Sequence, residues 1–244
     1  MNTRQDESAP MGLEIHDVRK RFGGLVALDG CSFACAAGTI TGLVGPNGSG
    51  KSTLFNAVTG IAKPDAGEVT LGGRRLTHLR PHQIARAGVG RTFQTTRLFN
   101  SLSVLENVLL GLHADADRDA AGRAAAVLEQ LGIAPLAERC AGELSFGQRR
   151  LAELARALIG RPAFILLDEP FAGLSPAVAA ELERHVAALP IAGVGVVLIE
   201  HDLAMITRLC PRIVVLHRGK VIADGTPDDI RHDRAVVASY LGEA

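Results

Sequence analysis

Two periods of hydrophobic and polar positions alternate along this chain. In the first third, apolar residues fall in short runs or at every second position, which predicts β-strands. These strands cover residues 13–18, 31–35, 39–44 and 68–71. A helix predicted over residues 51–58 separates the last two. The first third is therefore predicted to be rich in strands.

The pattern changes between about residues 81 and 142, where a period of 3.6 residues appears. Residues 104–112 and the alanine-rich residues 120–131 predict two helices, which suggests an inserted helical subdomain. Strands and helices then alternate, and this alternation predicts a parallel sheet with helices on both faces. The predicted order is helix 151–159, strand 164–167, helix 176–189, strand 195–199, helix 203–209, strand 213–216 and a hairpin turn at 218–220.

Length and charge limit the possible functions. A chain of 244 residues can bury one large core with a smaller appended subdomain. Its 26 basic and 26 acidic residues cancel, so it lacks the positive field of a nucleic-acid-binding protein, and we expect no nucleic acid partner. The longest apolar runs are too short to cross a bilayer. Residues 1–10 are polar, lack the apolar core of a secretory signal and are predicted to form a disordered leader.

The four cysteines do not form a metal-binding pattern. Cys31 and Cys35 would share one face of a strand, whereas Cys140 and Cys210 are isolated in the sequence. Because no second pair of ligands accompanies the first pair, we expect reduced, mostly buried thiols of a cytosolic protein.

A complete phosphate-binding motif of the form G-x-x-x-x-G-K-[ST] lies between a predicted strand and a predicted helix. It comprises Gly45, Pro46, Asn47, Gly48, Ser49, Gly50, Lys51, Ser52 and Thr53. The glycines allow backbone N–H groups to point at the β-phosphate, and the following helix presents its N-terminus to the phosphates. Lys51 then spans the β- and γ-phosphates, and the Ser52 hydroxyl ligates Mg²⁺. The motif predicts a nucleoside triphosphate site.

A second motif supplies two carboxylates at the end of a buried strand. Four consecutive apolar residues over 164–167 are typical of a central parallel strand. Asp168 and Glu169 follow them, at the edge where α/β sheets place their chemistry. Asp168 is therefore predicted to hold Mg²⁺, and Glu169 to polarise the water that attacks the γ-phosphate.

Between these motifs, the segment Leu144-Ser145-Phe146-Gly147-Gln148 resembles the signature usually written LSGGQ. With all motifs in this order, the chain resembles the ATP-binding subunit of an ABC transporter from about residue 13 to residue 242. The resemblance implies an α/β P-loop NTPase fold, with a parallel-sheet core, an antiparallel β subdomain and a helical subdomain inserted at about residues 95–160. It also implies one nucleotide-binding domain over residues 11–244.

The resemblance implies roles for residues outside the phosphate loop. Gln94 matches the family glutamine that ligates Mg²⁺ and senses the transmembrane partner, and His201 matches the histidine that contacts the γ-phosphate. Phe22 occupies the place of the aromatic residue that stacks on adenine, although an aromatic side chain closing the sheet edge explains it equally simply. The signature residues that would complete the ATP site of an opposite subunit are Ser145, Phe146, Gly147 and Gln148.

Two residues depart from the family pattern. Phe146 replaces a residue that is usually small, and Ser175 replaces an aspartate in the segment after Glu169. Serine still forms hydrogen bonds across a dimer interface, but it supplies no negative charge there. Both changes suggest a degenerate regulator without turnover, yet the chain keeps Lys51 and the other catalytic positions.

The resemblance extends to a particular class of transporter. Residues 91–107 and the ending 240–244 look like the ATPases of branched-chain amino acid importers, with related systems that carry urea or amides. The resemblance implies ATP and Mg²⁺ as ligands and a position on the cytoplasmic face of the membrane. It implies as partners a second ATPase subunit, membrane permease subunits and, indirectly, a solute-binding protein.

The alternative is a soluble ABC ATPase that drives a non-transport machine. Members of this kind that act in translation usually fuse two cassettes, and those that act in DNA repair insert a long coiled coil. This chain has one cassette and no heptad run.

Three large apolar residues, Leu98, Phe99 and Leu102, follow Gln94 in an otherwise polar segment. They fit a groove that receives a helix of a membrane subunit. They fit equally well the small core of the helical insertion, since exposed and buried anchors look alike in sequence.

Overall fold

The computed structural model of the chain describes residues 12–112 and 119–241, so the predicted leader over residues 1–10 lies outside the described residues. Six strands form the central sheet: β3 (Ile40–Val44), β6 (Val89–Arg91), β7 (Phe164–Asp168), β8 (Gly195–Ile199), β9 (Arg212–His217) and β10 (Lys220–Gly225). Their order is β10-β9-β3-β8-β7-β6. All neighbours are parallel except β9 and β10, which form the predicted hairpin around residues 218 and 219.

The strands β3, β7 and β8 lie in the interior of this sheet. Every residue of these three strands is buried, as expected for parallel strands that are covered on both faces. On β3, Leu43 pairs with Ile199 of β8 and with Val214 of β9. Because parallel strands end at one edge, the segments that follow β3, β7 and β8 meet there.

A second sheet is antiparallel and consists of β1 (Leu13–Phe22), β2 (Leu25–Cys35), β4 (Ala66–Leu71) and β5 (Arg74–Arg75), in the order β2-β1-β4-β5. The β1–β2 hairpin is longer than the predicted strands over 13–18 and 31–35. The outer half of β1 is mostly exposed and charged, with Arg19 paired to Asp17 and to Asp29 at 2.8 Å each. This charged half of β1 lacks the apolar alternation by which strands are predicted.

The helices are α1 (Lys51–Val58), α2 (Pro81–Arg86), α3 (Val104–Leu109), α4 (Ala120–Gln130), α5 (Phe146–Leu158), α6 (Pro176–Ala188), α7 (Leu203–Leu209), α8 (Pro227–His232) and α9 (Arg234–Leu241). Their positions confirm the predicted alternation of strands and helices. The prediction missed α2, α8 and α9. Proline at the first helical position starts both α2 and α8, and each has only six residues, too few to display a period.

Two apolar cores lie on opposite faces of the central sheet. Adjacent residues of β3 face different cores, with Leu43 in one and Val44 in the other. Leu43 shares its core with Ile15 of β1 and Phe55 of α1, whereas Val44 shares its core with residues of α3 to α6 such as Leu154. The helices α3 to α6 therefore cover one face of the central sheet, and the antiparallel sheet with α1 covers the other. The subdomain boundaries near residues 95 and 160 remain predictions.

The thiols fit the expectation of reduced cysteines. All four are free, and Cys31, Cys35 and Cys210 are buried, while Cys140 is half-buried. Burial raises the pKa of Cys31 and of Cys210 to about 12, and that of Cys35 to about 11. Within residues 12–112 and 119–241, no helix has both the length and the apolar character to cross a membrane. The same residues contain no cluster of three or more His, Cys, Asp or Glu that could hold a metal ion.

Candidate nucleotide-binding site

The phosphate-binding motif forms the turn between β3 and α1. Gly45 and Gly50 have φ of 149° and 109°, in the region that favours glycine. A side chain at Gly45 would collide with the carbonyl oxygen of Leu216, and one at Gly50 would collide with that of Ala27. The glycines are thus required both by the backbone conformation and by the neighbouring strands.

Lys51 begins α1 and folds back over this turn. Its Nζ donates hydrogen bonds to the carbonyl oxygens of Gly45 at 2.7 Å and of Pro46 at 2.9 Å. The side chain is buried, with 7% of the residue exposed. A buried ammonium group at the N-terminus of a helix produces a positive potential that suits an anion.

A cleft of about 340 Å³ opens beside the turn. The residues predicted for nucleotide binding and catalysis that line it are Phe22, Asn47, Gly48, Ser49, Gly50, Lys51, Ser52, Thr53, Gln94, Glu169 and His201. Phe22 is 51% exposed at the end of β1, so its ring is available at the mouth. Three apolar residues of β2, at positions 25–27, also line the cleft. These residues were not predicted for the site, because they lie in the part of β2 before residue 31, where no strand was predicted.

Glu169 is held between Gln94 and His201. Gln94 Nε2 donates to Glu169 Oε2 at 2.9 Å, and His201 Nε2 lies 2.9 Å from Glu169 Oε1. The backbone of Glu169 has φ of 48°, and its N–H donates to the carbonyl oxygen of Ile199 at 2.9 Å. Three segments far apart in sequence therefore converge on one carboxylate.

Asp168 lies behind Glu169 and pairs with a buried arginine. Arg91 Nη2 is 3.3 Å from Asp168 Oδ2, and their side chains are 8% and 6% exposed. Burial raises the pKa of Asp168, while the Arg91 guanidinium lowers it in part. Gly45 and Asp168 do not line the cleft, although Asp168 directly precedes Glu169, which does. The sequence suggests no role for Arg91, and its position three residues before Gln94 is the only signal that it offers.

The carboxylate of Glu200, directly before His201, was not predicted as part of the site. Its oxygens accept hydrogen bonds from the backbone N–H of Phe171 at 3.0 Å and of His201 at 3.3 Å. Burial raises its pKa, with the two backbone hydrogen bonds opposing this shift. Glu200 thereby ties the chain after Glu169 to the chain that carries His201.

The signature segment begins α5. Ser145 Oγ accepts from the N–H of Gln148 at 3.3 Å, and Gln148 Oε1 accepts from the N–H of Ser145 at 3.0 Å, which forms a capping box. Gly147 is packed so closely on Val178 of α6 that a side chain would collide with it. Phe146 is 47% exposed and is the large residue that departs from the signature. None of these four signature residues lines the cleft of this chain.

Comparison with known families matches residues 28–172, more than half of the chain, to the ABC transporter family. The chain belongs to the ABC transporter family. A second family, described as branched-chain amino acid ATP-binding cassette transporter, matches residues 220–244 of this ABC protein.

Two curated relatives are similar to this ABC chain over nearly all of its length. The high-affinity branched-chain amino acid transport ATP-binding protein LivG of Salmonella typhimurium is 39% identical, with 95% of this chain and 98% of LivG covered. The protein of the same description named BraF, of Pseudomonas aeruginosa, is 38% identical with the same shares covered.

A solved structure, the ADP conformation of an ATP-binding cassette of an ABC transporter, has a TM-score of 0.86 and 34% identity. It covers 96% of this chain and 100% of the other. The P-loop ABC fold is thereby confirmed. Membership of this family makes the chain a nucleotide-binding ATPase.

Proposed function

We propose that this chain is the ATP-hydrolysing subunit of an importer for branched-chain or other hydrophobic amino acids. The observation that carries the proposal is the convergence of Gln94, Glu169 and His201 in the cleft that contains Lys51. The cargo is supported by the family match over residues 220–244 and by the relatives' transport of branched-chain amino acids.

Several residues of the cleft have parts in nucleotide binding and hydrolysis. Lys51 and the N–H groups of the turn bind the β- and γ-phosphates, and the exposed ring of Phe22 stacks on adenine. Glu169 accepts a proton from the attacking water, with His201 beside the γ-phosphate. The Ser52 hydroxyl, the Asp168 carboxylate and the amide oxygen of Gln94 are hard oxygen donors of the kind that Mg²⁺ prefers. Bound there, Mg²⁺ neutralises charge on the phosphate oxygens.

A second copy, or a paralogous ATPase, completes the site. The signature residues lie outside the cleft of their own chain, so they are free to face an opposite one. Since Ser145 Oγ accepts the capping hydrogen bond, its hydroxyl proton remains available to a γ-phosphate. The N-terminus of the 13-residue helix α5 adds a positive dipole end. ATP held between two subunits favours the closed dimer, and its hydrolysis removes that preference.

The membrane partner is proposed to bind in a groove of about 320 Å³, which Phe93, the residue before Gln94, helps to line. Phe99 lines this groove and is 57% exposed, whereas Leu98 packs against the helical core and Leu102 is half-buried. Of the two explanations for this apolar trio, Phe99 fits docking and Leu98 fits the core. A permease helix in the groove would hold the subunit on the cytoplasmic face of the membrane, and a solute-binding protein would act on it only through the permease.

Transport by the assembled complex tests the proposed function. The tagged chain is purified from detergent-solubilised membranes, and the copurifying subunits are reconstituted into vesicles with their solute-binding protein. We expect multi-span permeases in the eluate and ATP-dependent uptake of labelled leucine or valine. Uptake of urea or short amides instead would contradict the cargo, and a ribosomal or iron–sulfur assembly partner without permeases would contradict transport.

Substitution of Phe99 tests the groove. Phe99→Glu replaces an exposed ring with a solvated carboxylate, so folding and basal ATPase activity should remain near those of the wild type. We expect permease copurification to fall about tenfold or more, the scale of losing a buried aromatic anchor of an interface. Ile191→Glu is the matched control, because Ile191 is 89% exposed and lies outside the groove.

Two measurements separate the outcomes for Phe99→Glu. A melting temperature many degrees below that of wild type would show that Phe99 belongs to the core, because an unpaired carboxylate would then be buried. An unchanged melt with full permease binding would show that the groove is not the contact.

A further inference from the structure

Arg91 connects the two surfaces on which the proposed function depends. It is the last residue of β6, and it lines the groove together with Phe93 and Phe99. The same guanidinium pairs with Asp168, which directly precedes Glu169 of the nucleotide cleft. One side chain therefore contacts the proposed docking surface at one end and a proposed Mg²⁺ ligand at the other.

The position of this guanidinium is fixed from several sides. Its Nη1 donates to Asn56 Oδ1 at 2.7 Å and to Thr59 Oγ1 at 3.1 Å, both at the end of the helix that Lys51 begins. Its carbon Cζ lies 4.8 Å from the ring centre of Phe93 and 5.6 Å from that of Phe55. Arg91 thus joins α1, β7 and the wall of the groove at one point.

The fork of an arginine is needed for this geometry. One terminal nitrogen bonds α1 while the other bonds Asp168, and a lysine ammonium cannot span both partners in the same plane. Arg91 Nε is buried without a hydrogen-bond partner among the described residues, so this arrangement leaves one donor unsatisfied. Because the ring of Phe93 lies against the guanidinium, a shift of Phe93 would move the guanidinium. The Asp168 carboxylate that pairs with the guanidinium would then change its direction.

We propose that Arg91 is a positioning residue that transmits occupation of the groove to Asp168. A permease helix seated on Phe99 and Phe93 sets the position of the guanidinium, and the guanidinium orients Asp168 toward Mg²⁺-bound nucleotide. The inference rests on the proposed function for its partner. It adds a route from the groove to the cleft that does not pass through the side chain of Gln94.

The test compares Arg91→Lys with Arg156→Lys, since Arg156 lines the same groove but has no contact with Asp168. Fluorescent ATP is titrated into each isolated subunit with EDTA and again with Mg²⁺. For Arg91→Lys we expect unchanged affinity in EDTA and a loss of about tenfold in the gain produced by Mg²⁺, the scale of a lost outer partner of a metal ligand. Arg156→Lys should keep the full gain.

The second measurement uses the reconstituted complex. We expect Arg91→Lys to copurify with permeases as wild type does but to lose most of the permease stimulation of ATPase activity. Asn56→Ala removes one of the two groups that accept hydrogen bonds from Arg91 Nη1. It should shift both measurements in the same direction by a smaller factor, and it keeps the test valid if Arg91→Lys folds poorly.

The outcomes distinguish the inference from the proposed function. Wild-type Mg²⁺ gain and wild-type stimulation in Arg91→Lys would overturn the positioning role. A wild-type complex that shows no stimulation by permeases would instead overturn the proposed function, and the groove step with it. In that case the Mg²⁺ gain of the isolated subunit still decides whether Arg91 orients Asp168.

Discussion

Glu169→Gln is expected to bind ATP but to hydrolyse it roughly 10²-fold or more slowly, the scale of a lost general base. The amide preserves the shape of the carboxylate but removes its charge and its basicity. It also keeps only one acceptor oxygen, whereas Glu169 now contacts Gln94 and His201 through two oxygens at 2.9 Å each. Steady-state phosphate release measures the loss, and size exclusion with ATP should show an accumulated dimer.

The matched control is Glu129→Gln, which removes a carboxylate from the exposed face of α4 far from the cleft lining. It should retain full turnover and the monomer–dimer behaviour of the wild type. If Glu169→Gln turned over ATP at the wild-type rate, the attacking water would have another base, and the assignment of Glu169 would be wrong.

The central strands could be predicted, but the edge strand β6 could not. β7 and β8 are continuous apolar runs, and such runs are typical of strands covered on both faces. β6 has only three residues, Val89–Arg91, which is too short to show a period. Its conformation is set by pairing with β7, where Val89 lies opposite Phe164. A strand defined by its neighbour leaves little trace in its own sequence.

The apolar period alone indicates a start of α5 at residue 151, whereas the helix begins at Phe146. The first turns of this helix are polar and hide the apolar period. A signal was nevertheless present, because Ser145 followed by Gln148 is a capping-box spacing that marks a helix start. The helix was therefore predictable from its cap rather than from its apolar face.

Most residues that line the cleft were named from motif order, but their contacts with one another could not be predicted. Gln94 and Glu169 are 75 residues apart, and nothing in their sequence positions indicates the hydrogen bond between them. The role of Arg91 was not visible, because the pairing of a buried arginine with Asp168 depends on how β6 packs beside β7. Glu200 was hidden for the same reason, since its partners are backbone groups that the fold brings to it.

Lys51→Ala is expected to fail at binding rather than at chemistry. The ammonium of Lys51 is buried and is held over the turn by two carbonyl oxygens at 2.7 and 2.9 Å. Lys51 also lines the cleft, where phosphate oxygens would contact its ammonium group. Its contacts to phosphate oxygens are charge-assisted, and two of them contribute about 3–6 kcal/mol, or roughly 10²-fold or more in affinity. Calorimetric titration of ATP into the variant measures this loss.

Two comparisons make the Lys51 experiment decisive. Lys63→Ala removes an exposed lysine outside the cleft and should bind ATP as wild type does, which separates the local contact from a change in overall charge. Thermal melting without nucleotide should leave Lys51→Ala folded, because Lys51 lines the cleft and water entering the space left by its side chain can donate to the two carbonyl oxygens. A folded Lys51→Ala that bound ATP with wild-type affinity would show that the turn does not hold the phosphates, whatever its sequence.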